Sequence, residues 1–390
     1  MQTKAAVLYR TGHVGPFAEQ RPLVIEELEL EAPGPGEALI EIAGAGLCHS
    51  DLSVIDGTRP RVMPMVLGHE ASGIVRGVGP HVAAVQPGDH VIFSFVPSCR
   101  HCDPCASGRP ALCENGARVN GAGSLLSGSR RFYDKAGNPL HHHLGVSAFA
   151  NYTVSAVESL VKIDPSLSLD IAALFGCAVM TGVGAVVNTA RVEPGASVAV
   201  FGAGGVGLSS IMGAAAAGAY PIIALATQDH KLALAQRAGA THTVNVRQSE
   251  PVAAIREITR GGAEYTFESV GSEEVLAQAY AATRRGGTTI TMGLPHPSKQ
   301  FSISAVSLVA EERVVRGSYM GSCVPSRDIP RFVAMYQAGK LPVELLLTRT
   351  IGLDDINAAF DALARGEAVR QIITFPQAAE ARKPVALAAD

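Results

Sequence analysis

Val200-Phe201-Gly202-Ala203-Gly204-Gly205-Val206-Gly207, near the middle of the chain, governs the reading of everything around it. The run Ser197-Val198-Ala199-Val200-Phe201 leading into it has the length and apolarity of a buried strand, and the alanine-rich stretch from Leu208 to Ala217 reads as a helix. Between them Gly202-x-Gly204-x-x-Gly207 is the dinucleotide fingerprint. The first glycine makes the turn, the second lets backbone approach a pyrophosphate, and the third lets helix and strand pack closely. The helix start then offers free N–H groups and a positive dipole end to the anion. A glycine-rich loop without a ligand would share these letters but not the flanking strand and helix signals.

From about residue 167 onward, strand signals alternate with alanine-rich helical stretches, and strands are expected over 198–201, 222–226, 243–246, 265–268 and 288–292. That alternation reads as an α/β fold with a doubly wound parallel Rossmann sheet. Before it, residues 4–46 carry strand-like apolar residues between Pro and Gly turns, as in Glu37-Ala38-Leu39-Ile40-Glu41-Ile42. The pattern continues through Gly73-Ile74-Val75 and Asp89-His90-Val91-Ile92-Phe93, and marks antiparallel, half-buried strands. The 390 residues, 47% of them apolar, suffice for two cores. We expect a β-rich domain over 1–178 that resumes at 320–375, a dinucleotide-binding domain over 179–319, and an alanine-rich disordered tail over 376–390.

Formal net charge is −3 and the basic residues form no block, which argues against nucleic acid or an anionic membrane as partner. The apolar run at the N-terminus is too short for a signal peptide and reads as a first strand. The run from Ile211 to Leu225 is broken by Gly213, Gly218 and Pro221, so it reads as buried helix and strand rather than a membrane span. The expected compartment is the cytoplasm, and the expected partner a small molecule.

In such a chain, closely spaced cysteines argue for metal before disulfides. Cys99-x-x-Cys102-x-x-Cys105, with Cys113 shortly after, fits a closed tetrahedral zinc site that holds a loop together. An iron–sulfur cluster shares the spacing, but no second cysteine set accompanies it. A second constellation, Gly46-Leu47-Cys48-His49-Ser50-Asp51 with Gly68-His69-Glu70, sets a thiol, imidazoles, a hydroxyl and carboxylates in two short turns. Cys48, His69 and a third, distant ligand would give a catalytic zinc with one position open for a substrate oxygen.

With these motifs, the chain resembles the zinc-dependent medium-chain alcohol dehydrogenases. The matching stretches are the two just quoted, the four-cysteine lobe over 95–115, Gly176-Cys177, the GAGGVG fingerprint and Val369-Arg370-Gln371-Ile372-Ile373-Thr374-Phe375. They run from residue 4 to 375 in the family's order. The resemblance implies that the β-rich domain is GroES-like and that two zinc ions bind per chain, one catalytic and one structural. Cys48, His69 and Cys177 would ligate the catalytic ion, Glu70 would help ligand exchange, and Asp51 would orient His69. Ser50 would pass the alcohol proton toward the cofactor ribose. Many relatives complete that relay with a histidine where this chain has Ser53. His49 and Arg370 would contact the cofactor pyrophosphate, alongside Gly202, Gly204, Gly205, Val206 and Gly207.

The implied reaction is reversible hydride transfer between a primary, aromatic or secondary alcohol and NAD(P). Phe95, His143, Leu144, Leu294 and Tyr319 match substrate-pocket positions and make it mostly apolar. Arg118 falls near an arginine that receives a carboxylate in glutathione-dependent formaldehyde dehydrogenases, so that thiol-adduct activity is the alternative. Arg59, however, stands where those enzymes carry an acid. A non-catalytic NADPH-binding relative is a further alternative, but such chains lack both cysteine sets. His141-His142-His143 reads as a surface loop with one pocket-lining member, since neighbours on a strand face opposite ways. The segment from Asn115 to Leu140 lengthens the loop after the zinc lobe, which in this family goes with homodimers joined through the coenzyme domain.

The second strand of the dinucleotide domain should end, about 20 residues past the fingerprint, in an Asp or Glu that binds the adenosine ribose and repels a 2′-phosphate. Here that position is Ala226, followed by Thr227 and Gln228, with His230 and Lys231 close by. NADP(H) is therefore expected to be preferred over NAD(H), which could still bind through Gln228 and Lys231.

Overall fold

A computed structural model describes residues 1–375; the expected tail over 376–390 lies outside them. The chain divides into two units: residues 1–176 with the returning segment from Leu347, and Cys177–Leu346.

In the first unit the alternating segments form two β systems. Gln2–Leu8, Leu23–Leu30, Phe132–Tyr133, Pro139–His142 and Met65–Val66 close a barrel. Its interior is filled by Ala5, Val7, Leu28, Leu30, Phe132 and Leu140. The other system is a seven-stranded sheet in the order Leu160–Ile163, His90–Phe93, Glu70–Val78, Glu37–Gly46, Arg370–Thr374 and Leu347–Ile351, with Tyr152–Ala156 also paired to Glu37–Gly46. The chain's last described strand, Arg370–Thr374, runs antiparallel to Glu37–Gly46 and sets Ile372 against Gly46. On its other edge Gly46 faces Glu70, and a Cβ at Gly46 would stand 2.5 Å from the Glu70 Oε1. Glycine there is what lets the Glu70 side chain lie over the strand.

The second unit is a six-stranded parallel sheet in the order His242–Asn245, Ile222–Ala226, Val198–Phe201, Ala263–Glu268, Thr283–Thr291 and Val314–Gly317. Numbered along the unit, that order is 3-2-1-4-5-6, the doubly wound arrangement whose ligands bind beyond the carboxyl ends of the strands. The sixth strand has no counterpart among the strands expected from sequence, because its four residues are exposed throughout and show no alternation.

Two expectations need correction. Residues 320–346 belong to the second unit, not to a resumed β-rich domain. Cys323 donates to the Met180 carbonyl at 3.4 Å, and Asn188 donates to Asp328 at 3.2 Å, which ties the helix Pro325–Gln337 to this unit. The stretch after the cysteine lobe is not an extended loop either: it holds the helix Glu114–Ala122 and the barrel strands Phe132–Tyr133 and Pro139–His142. No single helix among the described residues is long and apolar enough to cross a membrane.

Asp328 is wholly buried and accepts from the Val324 N–H at 2.8 Å, from Asn188, and from Arg327 and Arg331. Burial pushes its carboxyl up, but these donors hold it below the usual carboxylate range. A carboxyl held low contributes stability that is full above its unfolded pKa of about 3.9 and is lost as pH falls through the folded value. Asp328→Asn should therefore cost about 2 kcal/mol near neutrality, with the gap to wild type closing below about pH 4. Thermal unfolding as a function of pH measures it, and parallel curves at all pH values would refute it.

Candidate metal centres and dinucleotide loop

Sγ atoms of Cys99, Cys102, Cys105 and Cys113 lie within 4.8 Å of one another. Backbone N–H groups already point at two of them: Cys99 and Gly116 donate to Cys113 at 3.2 and 3.3 Å, and Cys102 donates to Cys99 at 3.4 Å. Asn115 adds a side-chain donor to Cys99 at 3.3 Å, a partner that no spacing motif signals. Burial would raise the Cys99 thiol, but Asn115 and the backbone donors lower it to about 5, whereas burial and neighbouring thiols push Cys105 up to about 12.

The second cluster is built on a short helix, His49–Ile55. Cys48 precedes it in extended backbone, Ser50 is half-buried in its first turn, and Asp51 is fully buried. Asp51 accepts from the Cys48 N–H at 3.3 Å, from the Gly68 N–H at 3.2 Å and from the His69 Nδ1 at 3.0 Å. That leaves His69 Nε2 buried without a nitrogen or oxygen partner. Cys48, His69 and Cys177 bring their ligand atoms within 4.8 Å of one another, all three residues buried. Cys177 follows directly on the 1–176 segment and is bonded to Gly176, itself so close to the Phe93 carbonyl that a Cβ would stand 2.5 Å from it. Burial would push the His69 imidazolium down, but the Asp51 carboxylate raises it to about 10. Asp51 itself, despite burial, is held well below the carboxylate range by His69 and His143.

Glu70 is pushed up to about 7 by burial, against the pull of Arg370, whose Nε lies 3.1 Å from its Oε1. The rest of that guanidinium donates to the Val369 carbonyl at 3.0 Å and toward the Cys48 Sγ at 3.7 Å.

In the second unit the glycines do separate jobs. Gly202 has φ of 98°, a Cβ at Gly204 would meet nothing within 4 Å, and a Cβ at Gly207 would stand 1.9 Å from the Gly202 carbonyl oxygen. The first therefore turns, the second leaves open space above the start of the helix Gly205–Ala216, and the third permits contact.

Two family descriptions fit the chain: Alcohol dehydrogenase GroES-like domain over residues 34–165, and Zinc-binding dehydrogenase over 205–338. The chain is 37% identical over 386 residues to an S-(hydroxymethyl)glutathione dehydrogenase of Paracoccus denitrificans, covering 96% of this chain and 100% of the relative. It belongs to the zinc-dependent medium-chain alcohol dehydrogenase family. Similar solved structures include an alcohol dehydrogenase zinc-binding domain protein from Burkholderia ambifaria, with 36% identity, a TM-score of 0.90, and 96% of this chain and 99% of that one covered. Another is benzyl alcohol dehydrogenase from Acinetobacter calcoaceticus, with 33% identity, a TM-score of 0.88 and the same coverage, 96% and 99%.

The side chains named from sequence are distributed over both units. Phe95 lies edge-on to the His69 ring at 5.6 Å, His143 does so at 5.5 Å, and Leu144 is buried. His143 also brings Nδ1 to 3.1 Å from the Asp51 Oδ1, a contact beyond mere pocket lining. Leu294 and Tyr319 belong to the second unit, where they are 49% and 37% exposed. His49 is exposed, whereas Arg370 is only 3% exposed and sets its Nε 3.1 Å from the Glu70 Oε1. His141–His143 is not a surface loop: His142 ends a barrel strand, fully buried, with Nε2 accepting from the Arg131 N–H at 3.2 Å. Ala226 ends its strand buried, Thr227 is exposed, Gln228 caps the helix Asp229–Arg237, and Lys231 is half-buried on it.

Both cysteine clusters fit zinc in donor chemistry: four sulfurs in one, and two sulfurs with an orphaned imidazole nitrogen in the other. Cys48→Ala should therefore lower bound zinc by about one ion per chain with little change in melting temperature. Cys102→Ser should lower melting temperature or yield along with its zinc. Metal analysis with thermal unfolding checks both, and unchanged zinc in either variant would refute that site's assignment.

Proposed function

We propose that this enzyme interconverts primary or aromatic alcohols and their aldehydes with a nicotinamide cofactor, NADP(H) in preference to NAD(H), and carries two zinc ions per chain. The observation that supports it most is the buried S, N, S donor set at Cys48, His69 and Cys177, beside a helix that also carries Ser50. A zinc ion held there supplies Lewis-acid chemistry, acidifying an alcohol in one direction and polarising a carbonyl in the other.

The chain's own residues do the rest. Asp51 fixes the His69 ring so that Nε2 faces the two thiols. Ser50 is the hydroxyl that accepts and forwards the substrate proton. Ser53, one turn further along the helix, cannot serve as a base in place of a histidine, so the proton leaves through water. Phe95 presents apolar surface beside His69, which favours an aromatic or aliphatic chain over a polar one. Glu70, paired with Arg370 next to Cys48, is the carboxylate for ligand exchange. Ala226 offers a 2′-phosphate no carboxylate to repel it, and the exposed Thr227 offers it a donor.

The thiol-adduct reading is supported by the identity to an S-(hydroxymethyl)glutathione dehydrogenase, and Arg118 is exposed on the helix Glu114–Ala122, open to a carboxylate. Arg59, half-buried, carries charge opposite to what that adduct's amino group would want. No cysteine among the described residues is paired in a disulfide.

We also propose a homodimer joined through the dinucleotide unit. Val314–Gly317 is the unpaired edge of its sheet, with Val314 and Val315 47% and 36% exposed, and nearby in sequence Val306 and Val309 are 70% and 81% exposed. An apolar open edge of this kind is covered in stable proteins. Sedimentation should give twice the chain mass, and Val315→Lys should give monomer; a monomeric wild type would refute it.

The decisive experiment compares kcat/KM for benzyl alcohol and for S-(hydroxymethyl)glutathione, each with NADP and NAD. Benzyl alcohol with NADP should be highest, and Ala226→Asp should shift the cofactor ratio toward NAD by about tenfold or more. Preference for the thiol adduct would establish the second reading, and an NAD preference in the wild type would sink the cofactor assignment.

A further inference from the structure

The strand Ile222–Ala226 ends in a residue with no charge, yet a 2′-phosphate bound beyond it needs a cation. Lys231 is half-buried on the following helix, and His230 is exposed. The neighbouring strand supplies a better candidate. His242–Asn245 runs parallel to Ile222–Ala226 with Asn245 opposite Ala226, and the Val246 N–H donates to the Ala226 carbonyl at 3.1 Å. The two strands thus stay together to the last residue of the shorter one. Arg247 comes next, beyond the carboxyl edge of the sheet.

Its position is set by a tight turn. The Arg247 N–H donates to the Asn245 Oδ1 at 3.0 Å, and the N–H groups of Gln248 and Ser249 donate to the Asn245 carbonyl, each at 3.0 Å. The other end of that asparagine amide donates to the Asp229 Oδ1 at 2.6 Å. Asn245 thereby engages the Asp229 carboxylate. The Arg247 side chain is exposed, and among the described residues it makes no ion pair. Adjacent strands lie about 4.8 Å apart, so an extended arginine spans from one strand end to the space over the next.

We propose that Arg247 is the guanidinium that grips the adenosine 2′-phosphate, reaching across from the turn after His242–Asn245 while Thr227 donates from the end of its own strand. This rests on the NADP(H) reading above and gives it the charge that Ala226 alone cannot. Arginine suits the task because its planar fork meets two phosphate oxygens at once. Asn245 then has two roles: it shapes the turn that carries Arg247, and it holds Asp229 by hydrogen bond.

The test is calorimetric titration of the full-length, zinc-loaded protein with 2′,5′-ADP and with 5′-AMP, for wild type, Arg247→Ala and Arg247→Lys. The alanine variant should bind 2′,5′-ADP about tenfold more weakly with 5′-AMP unchanged, and the lysine variant should fall between. If wild type binds the two nucleotides equally, the NADP(H) reading fails and takes this inference with it. Should wild type favour 2′,5′-ADP and the alanine variant keep that preference in full, Arg247 is not the contact and the NADP(H) reading stands. Equal weakening of both nucleotides would mean that the residue only supports the turn, and would also overturn the assignment.

Discussion

One buried carboxylate organises the catalytic cluster. Asp51 has no solvent to stabilise its charge, and a bare carboxylate in such a place would be costly. It is stabilised by the Cys48 N–H, the Gly68 N–H and the His69 ring. Each of these donors belongs to, or adjoins, a proposed metal ligand. Satisfying the acid therefore fixes two ligand-bearing segments relative to each other before any ion arrives, so little rearrangement is left for metal binding. The same bond settles which imidazole nitrogen faces the thiols, since Nδ1 is taken.

A second buried charge does comparable work on the far side of Cys48. Glu70 and Arg370 are both nearly inaccessible, and each would be unstable without the other. Their meeting depends on two features of the sheet. Gly46 leaves room for the Glu70 side chain, and the late strand Arg370–Thr374 lies on the opposite edge of Glu37–Gly46. The last described strand of the chain is thereby tied to the site, although nothing in it ligates metal.

What could be read from the sequence follows from how local each signal is. The fingerprint glycines are legible because the positive φ of Gly202 and the contact of Gly207 with the Gly202 carbonyl both arise within one turn. The candidate metal clusters are legible because sulfur and imidazole at such spacings have few other uses. The pairing of Arg370 with Glu70 is not, because the two lie 300 residues apart and no periodicity announces the pair. Residues 320–346 read as β-rich domain until Asn188, Cys323 and Asp328 are seen together, again a contact of long sequence separation. Val314–Gly317 escapes because it is short, exposed and without alternation. His142 reads as surface because histidine usually is, yet the barrel buries it between Phe132 and the Arg131 backbone, and burial holds it near pKa 3 and neutral.

The four-cysteine lobe suits a structural metal better than a reactive one. Its short helix Asp103–Ala106 buries no side chain, so no apolar core under that helix holds it in shape. The thiols cannot replace that core unaided. With Cys99 pushed down to about 5 and Cys105 up to about 12, they do not share one protonation state near neutral pH. Four thiolates so close repel one another, and only a bound cation makes that state favourable. The backbone donors already aimed at Cys99 and Cys113 favour the deprotonated form, so the fold meets the ion part-way. With all four sulfurs used, the site has no place for a substrate oxygen, whereas three ligands at Cys48, His69 and Cys177 leave one. The division of labour between the two clusters is thus set by ligand count, before any difference in their surroundings is considered.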